Sequence, residues 1–197
     1  MDYKRFCFFI FFIGCTSLAF CQTSLESFNE KRLSINETGM MVLGSWALVN
    51  LVSSPVLARR SEGSTRYFYQ MNGYWNAVNL AIAGFGFYSA LNGETSGLAL
   101  SETLSEQFSM EKILLFNAGL DLAYMAGGFY LKERAKNSMS NQHRFEGFGN
   151  SLILQGGFLL AFDLGMYFIH HNHASELLQH IDQLTLNPFG FSLSWKI

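Results

Sequence analysis

A chain of 197 residues with 49% apolar, 16% aromatic and only 14% charged residues falls well below the roughly 25% charge of ordinary soluble domains. Its formal net charge of -2 offers no basic excess for holding nucleic acid. All three cysteines (Cys7, Cys15, Cys21) lie at the start, so a chain cleaved after them has no disulfide, thiol nucleophile or thiolate metal site.

Residues 1–21 read as a cleaved signal peptide. Lys4 and Arg5 form a basic start, Phe6 to Phe20 an apolar run too short to span a bilayer comfortably, and Ala19-Phe20-Cys21 a small-x-small site before Gln22. A lipoprotein signal or an uncleaved anchor is the rival reading, because Leu18-Ala19-Phe20-Cys21 nearly makes a lipobox, with bulky Phe20 where a small residue is expected. Residues 22–38 form a polar periplasmic lead-in with a short amphipathic helix.

Four apolar stretches follow, 39–58, 74–91, 113–131 and 148–169, each 18 to 22 residues long. At 1.5 Å rise per residue, each matches a hydrocarbon core of about 30 Å. The expected fold is all-α, a four-transmembrane-helix bundle over 39–169 whose first partner is the lipid bilayer. The loop 59–73 carries Arg59, Arg60 and Arg66, and the loop 132–147 carries Lys132, Arg134, Lys136 and Arg144. The loop 92–112 has Lys112 alone, against Glu94, Glu102, Glu106 and Glu111. Basic loops stay in the cytoplasm, which places the protein in the bacterial inner membrane with both mature termini periplasmic, as signal cleavage also requires.

Residues 170–197 form a short periplasmic tail. Leu177, Leu178, Ile181 and Leu184 mark an amphipathic helix over 172–187, and beyond Pro188 the residues alternate like a strand lying along the interface. A faint repeat at an offset of 74 residues matches Leu57 and Arg60 to Leu131 and Arg134, and Gly73 and Asn76 to Gly147 and Asn150. Duplication of a helical hairpin would produce it, and so would the shared grammar of membrane helix ends.

Polar residues inside the stretches need partners where water is absent. Measured from each midpoint, Asn50, Asn79 and Gln155 form an amide layer on the cytoplasmic side, and Asn117, Asp121 and Asp163 a carboxyl layer on the exported side. Asn117, Asp121, Tyr124 and Gly128 share one face of the third helix, and Gln155, Asp163 and Tyr167 one face of the fourth. The stretches contain no Lys, Arg or His to neutralise Asp121 or Asp163. The pair must be protonated, share a proton or bind a cation. Asn117 is expected as a shared hydrogen-bond partner, with Tyr124 or Tyr167 closing the site; the plainer alternative is a neutral carboxyl acting as helix glue.

Two small-residue stripes, Gly119-Ala123-Gly127 and Gly157-Ala161-Gly165, lie opposite those faces. They would form a homo-oligomer interface if they point outward, or receive a bulky neighbour such as Trp46 or Trp75. His173, Glu176 and His180 share a helical face and form a weak metal candidate, without the spacing of a zinc signature. The string from Arg66 to Asn76 reads as an aromatic belt or a binding loop. No cofactor motif, phosphate loop or nucleophile elbow occurs.

The strings Gly39-Met-Met-Val-Leu-Gly-Ser-Trp-Ala47, Tyr69-Gln-Met-Asn72, Trp75-Asn-Ala-Val-Asn79, Asn117-Ala-Gly-Leu-Asp121 and Gln155-Gly-Gly-Phe-Leu-Leu-Ala-Phe-Asp163 give the chain a likeness over residues 28–170. It resembles a family of small integral membrane proteins of unknown function from Gram-negative, Bacteroidota-type bacteria. The resemblance implies a four-helix membrane fold and no assigned activity. The leading expectation is a non-enzymatic structural or accessory component of a membrane complex; the alternative is a small transporter or proton-coupled carrier using Asp121 and Asp163.

Overall fold

The computed structural model describes the backbone of residues 3–182 with the strands 184–187 and 190–193, and the side chains of residues 25–178. Four helices account for nearly all of it: α1 (Tyr3–Arg60), α2 (Gly63–Leu91), α3 (Leu100–Lys136) and α4 (Gln142–Asp182). Each contains one apolar stretch and extends past it. The segments expected as aqueous connections are therefore largely helix: α1 is continuous through the lead-in, α2 takes in most of 59–73, and α3 begins well before residue 113. At 37 residues α3 is about 55 Å long, against a hydrocarbon core of about 30 Å.

The tail corrects the sequence reading. Helix α4 stops at Asp182, and the expected lone strand is an antiparallel hairpin in which Leu184–Asn187 pairs with Gly190–Leu193 across the Pro188 break. Two strands satisfy each other's backbone groups, which one strand at an interface would leave open. The side chains of the signal peptide and of His180, and residues 194–197, lie outside what is described.

Three helices are long and apolar enough to cross a membrane: α1 over Leu25–Arg60, α3 over Leu100–Lys136 and α4 over Gln142–Leu178. Helix α2 is not among them, because Asn72, Asn76 and Asn79 lower its mean hydropathy; all three are buried. The burial pattern is inverted relative to a soluble protein. Asn76, Gln155, Ser151 and Gln107 are fully enclosed, while Val49, Val52, Phe85, Phe116 and Phe129 are more than half exposed. Water would penalise so much uncovered apolar surface, and hydrocarbon does not.

Helix α1 packs antiparallel on α2, α2 on α4, and α4 antiparallel on α3, so the spatial order is α1–α2–α4–α3. A two-residue connection, 61–62, joins α1 to α2, and Gly63 opens α2 at φ 55°, a left-handed conformation that costs glycine nothing. Glycines also set the closest approaches. A Cβ on Gly128 would lie 2.7 Å from the Gly149 carbonyl oxygen, and one on Gly156 would lie 2.9 Å from that of Asp121. Gly147 abuts the α2 backbone at Ser64 and Phe68. These contacts gather the α1–α2 and α3–α4 turns, with all seven basic residues of those segments, at one end of the bundle.

At the opposite end α1 meets α3 through Asn29–Thr103 and Arg32–Glu106, each pair 74 residues apart, which is the offset of the sequence repeat. Equivalent residues meet in this way at a two-fold axis. At the basic end, however, α2 meets α4 through Asn72 and Gln155, 83 residues apart, so no single axis relates the two halves.

Candidate functional site

Polar side chains inside the bundle fall into three layers. Nearest the basic end is a chain of side-chain bonds. The Trp46 indole N–H donates to Gln155 Oε1 at 3.1 Å, and the Gln155 amide donates to Asn72 Oδ1. Asn72 Nδ2 donates to Asn50 Oδ1 at 2.7 Å and to Ser54 Oγ at 3.2 Å. Three helices are thereby tied at one depth, with the Trp46 ring stacked on Phe158 at 3.9 Å. Of the expected amide layer, the structure brings Asn50 and Gln155 together and adds Asn72 as the hub. Asn72 lies just before the apolar stretch 74–91; its signal in the sequence was the four- and three-residue spacing of Asn72, Asn76 and Asn79, one buried face of α2.

The middle layer is a cavity of about 210 Å³ between α2, α3 and α4. Trp75, Asn79, Asn117, Asp121, Tyr124 and Asp163 supply its polar and aromatic lining. Asp121 and Asp163 both line it, close enough to interact electrostatically across the α3–α4 contact. Only 3% of Asp121 and 6% of Asp163 is exposed. Asn117 lines the same cavity half-buried, and Tyr124 closes one side, its ring edge-to-face with Trp75 at 4.7 Å.

Two expected members belong elsewhere. Asn79 faces the carboxyl cavity instead of the amide layer: its depth differs from that of Asp121 by little more than one helical turn, so side-chain direction decides which layer it joins. Tyr167 does not reach the carboxyls. Its ring stacks on His171 at 5.6 Å and lines a separate groove with Phe108 and Leu115, one helical turn from Asp163.

Three buried polar atoms around this cavity have no partner among the described residues: Asp121 Oδ2, Asn79 Nδ2 and Trp75 Nε1. Buried polar groups are nearly always paired, and an orphan costs about 1–3 kcal/mol. The residues that carry them line the cavity, while the three atoms themselves are sealed from its open space. The backbones of α2 and α3 do not approach each other, and Val78, Ile82 and Leu120 on that seam are exposed, so the cavity opens sideways.

The third layer, at the end remote from the basic residues, was not legible in the sequence. Asn29 Nδ2 donates to Thr103 Oγ1 at 2.9 Å, and Arg32, only 4% exposed, donates to Asn29 Oδ1 at 3.3 Å and pairs with Glu106 at 3.5 Å. Gln107 donates to the His170 carbonyl at 2.8 Å and to Glu111 at 3.1 Å. His173 stacks on Phe28 at 3.9 Å with Nε2 3.0 Å from the Phe28 carbonyl, so that nitrogen faces α1. Glu176 pairs with Lys31 at 3.0 Å. Among the described residues no group of three His, Cys, Asp or Glu side chains is placed to hold a metal ion.

The small-residue stripes face outward: a Cβ at Gly119, Gly127, Gly157 or Gly165 would meet nothing within 4 Å. Trp46 and Trp75 pack on Phe158 and Tyr124 and leave the stripes uncovered. Ala161 and Gly165 border an apolar groove of about 420 Å³ against Ile35, Gly39 and Val42 of α1. The string from Arg66 to Asn76 is the start of α2, where Tyr67 packs edge-on against Phe148 at 6.1 Å and Asn72 and Asn76 turn inward.

No curated protein and no solved structure matches the chain. Residues 42–164 match a family of unknown function, DUF6992. The matched span is more than half the chain and holds both the amide chain and every residue lining the carboxyl cavity. This protein belongs to the DUF6992 family.

Proposed function

We propose that the chain is a non-enzymatic, multi-pass protein of the bacterial inner membrane in which the Asp121–Asp163 pair holds an exchangeable proton, as in a small proton-coupled carrier. One observation carries this reading: two carboxyls, each less than a tenth exposed, line one cavity between the helices with no basic side chain among its lining residues. Two neighbouring carboxyls in a water-poor site repel when both are ionised, so a proton or a cation must relieve the pair. No Lys, Arg or His lies within the apolar stretches to take its place.

In this reading all four helices cross the bilayer. Support for α2 comes from its outward face, where Tyr74, Val78, Ile82, Phe85 and Tyr88 are exposed, and from its antiparallel packing along α1. The basic start of the chain and the single basic end of the bundle favour signal cleavage, a cytoplasmic basic end and periplasmic mature termini. The second reading, a structural or accessory component of a membrane complex, draws on the bonded amide chain, which acts as glue between helices, and on the outward stripes, which fit a second copy of the chain.

Infrared spectroscopy of the reconstituted protein separates the two. A protonated-carboxyl band at neutral pH, lost in both Asp121→Asn and Asp163→Asn with helicity intact, supports a proton site. A folded wild-type protein without that band refutes it. Proton uptake into proteoliposomes that survives Asp121→Asn would leave the pair a packing role.

A further inference from the structure

We propose that a pocket between α1, the end of α2 and the start of α3 binds the headgroup of an aminophospholipid from the surrounding leaflet, with its phosphate on Arg32 and Asn36 and its primary ammonium on Glu94 and Glu106. The proposal does not involve Asp121 or Asp163.

The phosphate end follows from two enclosed side chains on one face of α1, four residues apart. Arg32 is 4% and Asn36 7% exposed, and both line a space of about 360 Å³ at the end of the bundle remote from the basic segments. Arg32 Nε donates to Asn29, and the ion pair with Glu106, at 3.5 Å, reaches a carboxylate whose side chain is 62% exposed. A guanidinium withdrawn from water needs fuller compensation than one long contact. Its other terminal nitrogen and both polar atoms of the Asn36 amide have no hydrogen-bond partner among the described residues, and unlike the orphans beside Asp121 they are not sealed. An oxyanion in this space accepts N–H bonds from both side chains.

The rest of the lining selects the other end. Glu94 and Glu106 outnumber Arg32, so an anion alone would add to a negative excess, and a zwitterion would not. A primary ammonium offers three N–H donors to these carboxylates and to Asn36 Oδ1. A trimethylammonium offers none, and the lining holds no aromatic ring to receive it. Polarity along the pocket follows that of a bilayer. Arg32, Glu94 and Glu106 lie outside the apolar stretches, whereas Met40 and Gly86 lie within 39–58 and 74–91 and pack on each other, about 12 Å along α1 from Arg32. The backbones of α2 and α3 do not approach each other, so the seam between them gives acyl chains a way out to the side. A free zwitterion would need no such apolar depth. A volume of about 360 Å³ falls at the lower end of the ~300–1,000 Å³ of small-ligand pockets, which suits a headgroup whose chains stay in the bilayer.

Native mass spectrometry of the full chain in maltoside micelles, offered phosphatidylethanolamine, phosphatidylcholine and phosphatidylglycerol with identical acyl chains, tests this, with thermal stability read in parallel. Phosphatidylethanolamine should be retained about tenfold better than either of the others, the weight of one well-made polar contact. Asn36→Leu should weaken its binding about tenfold, and Glu94→Gln, at an exposed position, should narrow its advantage over phosphatidylglycerol about threefold, each with helicity unchanged. Equal retention of the three lipids by the wild type overturns the proposal, and so does a preference for phosphatidylglycerol or phosphatidylcholine. A folded Asn36→Leu or Glu94→Gln variant that keeps the full wild-type preference does the same. Glycerophosphoethanolamine, the headgroup without chains, should compete only at far higher concentration. Competition at lipid-like concentration would make a free zwitterion the ligand and end the lipid assignment.

Discussion

Alanine at Gly128 and alanine at Gly127 make the same chemical change on adjacent positions of one helix, with opposite structural consequences. At Gly128 the new methyl would lie 2.7 Å from the Gly149 carbonyl oxygen, 2.8 Å from Ile153 Cγ1 and 3.1 Å from Ile153 N. The Ile153 side chain can rotate away. The carbonyl and amide belong to the hydrogen-bond ladder of α4, so α3 and α4 must separate by roughly 1 Å to restore van der Waals distance. Overpacking of this kind costs about 1–3 kcal/mol. At Gly127 the methyl meets nothing within 4 Å. Alanine there gains up to about 1 kcal/mol of helix propensity over glycine. The same gain applies at Gly128, so the two variants should differ by the overpacking cost of about 1–3 kcal/mol, with Gly128→Ala the less stable. Unfolding in mixed micelles titrated with a denaturing detergent, followed by far-ultraviolet circular dichroism, measures the difference. Depth, propensity and micelle effects cancel between neighbours, so equality within about 0.5 kcal/mol would refute the close α3–α4 crossing, as would a lower stability for Gly127→Ala.

Gln155→Leu removes the bonds to Trp46 and Asn72 and strands both partners; at about 0.6–1.7 kcal/mol per interhelical bond, micellar stability should fall by about 1–3 kcal/mol, and an unchanged melting temperature would show that the amide chain holds nothing. Cysteines placed at Ser64 or Ser138, both at the basic end, should resist a membrane-impermeant maleimide in intact cells; labelling of either from outside would reverse the topology. Ala123→Ile with Ala161→Ile should dissociate a self-associated protein without unfolding it, read by cross-linking in mild detergent. A wild-type chain that is monomeric in several such detergents would end the idea of a small-residue interface.

Features that depend on local chemistry were legible in the sequence: four helices, the basic ends, and the shared faces of Asn117, Asp121 and Tyr124 on one helix and of Gln155 and Asp163 on another. Hydrophobic length and a period of 3.6 residues fix these without reference to the rest of the chain. Partnership between faces is a different matter, because it depends on helix order and on register along each contact. The order α1–α2–α4–α3 sends Asn79 to the carboxyl cavity and makes Asn72 the hub of the amide chain. Tyr167, one turn along α4 from Asp163, packs instead against His171 and α3. The third layer of Asn29, Arg32, Thr103 and Gln107 escaped notice because each residue alone resembles an ordinary polar residue in an aqueous segment. Only the extension of α1 and α3 beyond their apolar stretches brings them face to face and excludes water from between them. Composition determines that three of these helices are long and apolar enough to cross a membrane, and tertiary contact alone decides which of the polar groups find each other.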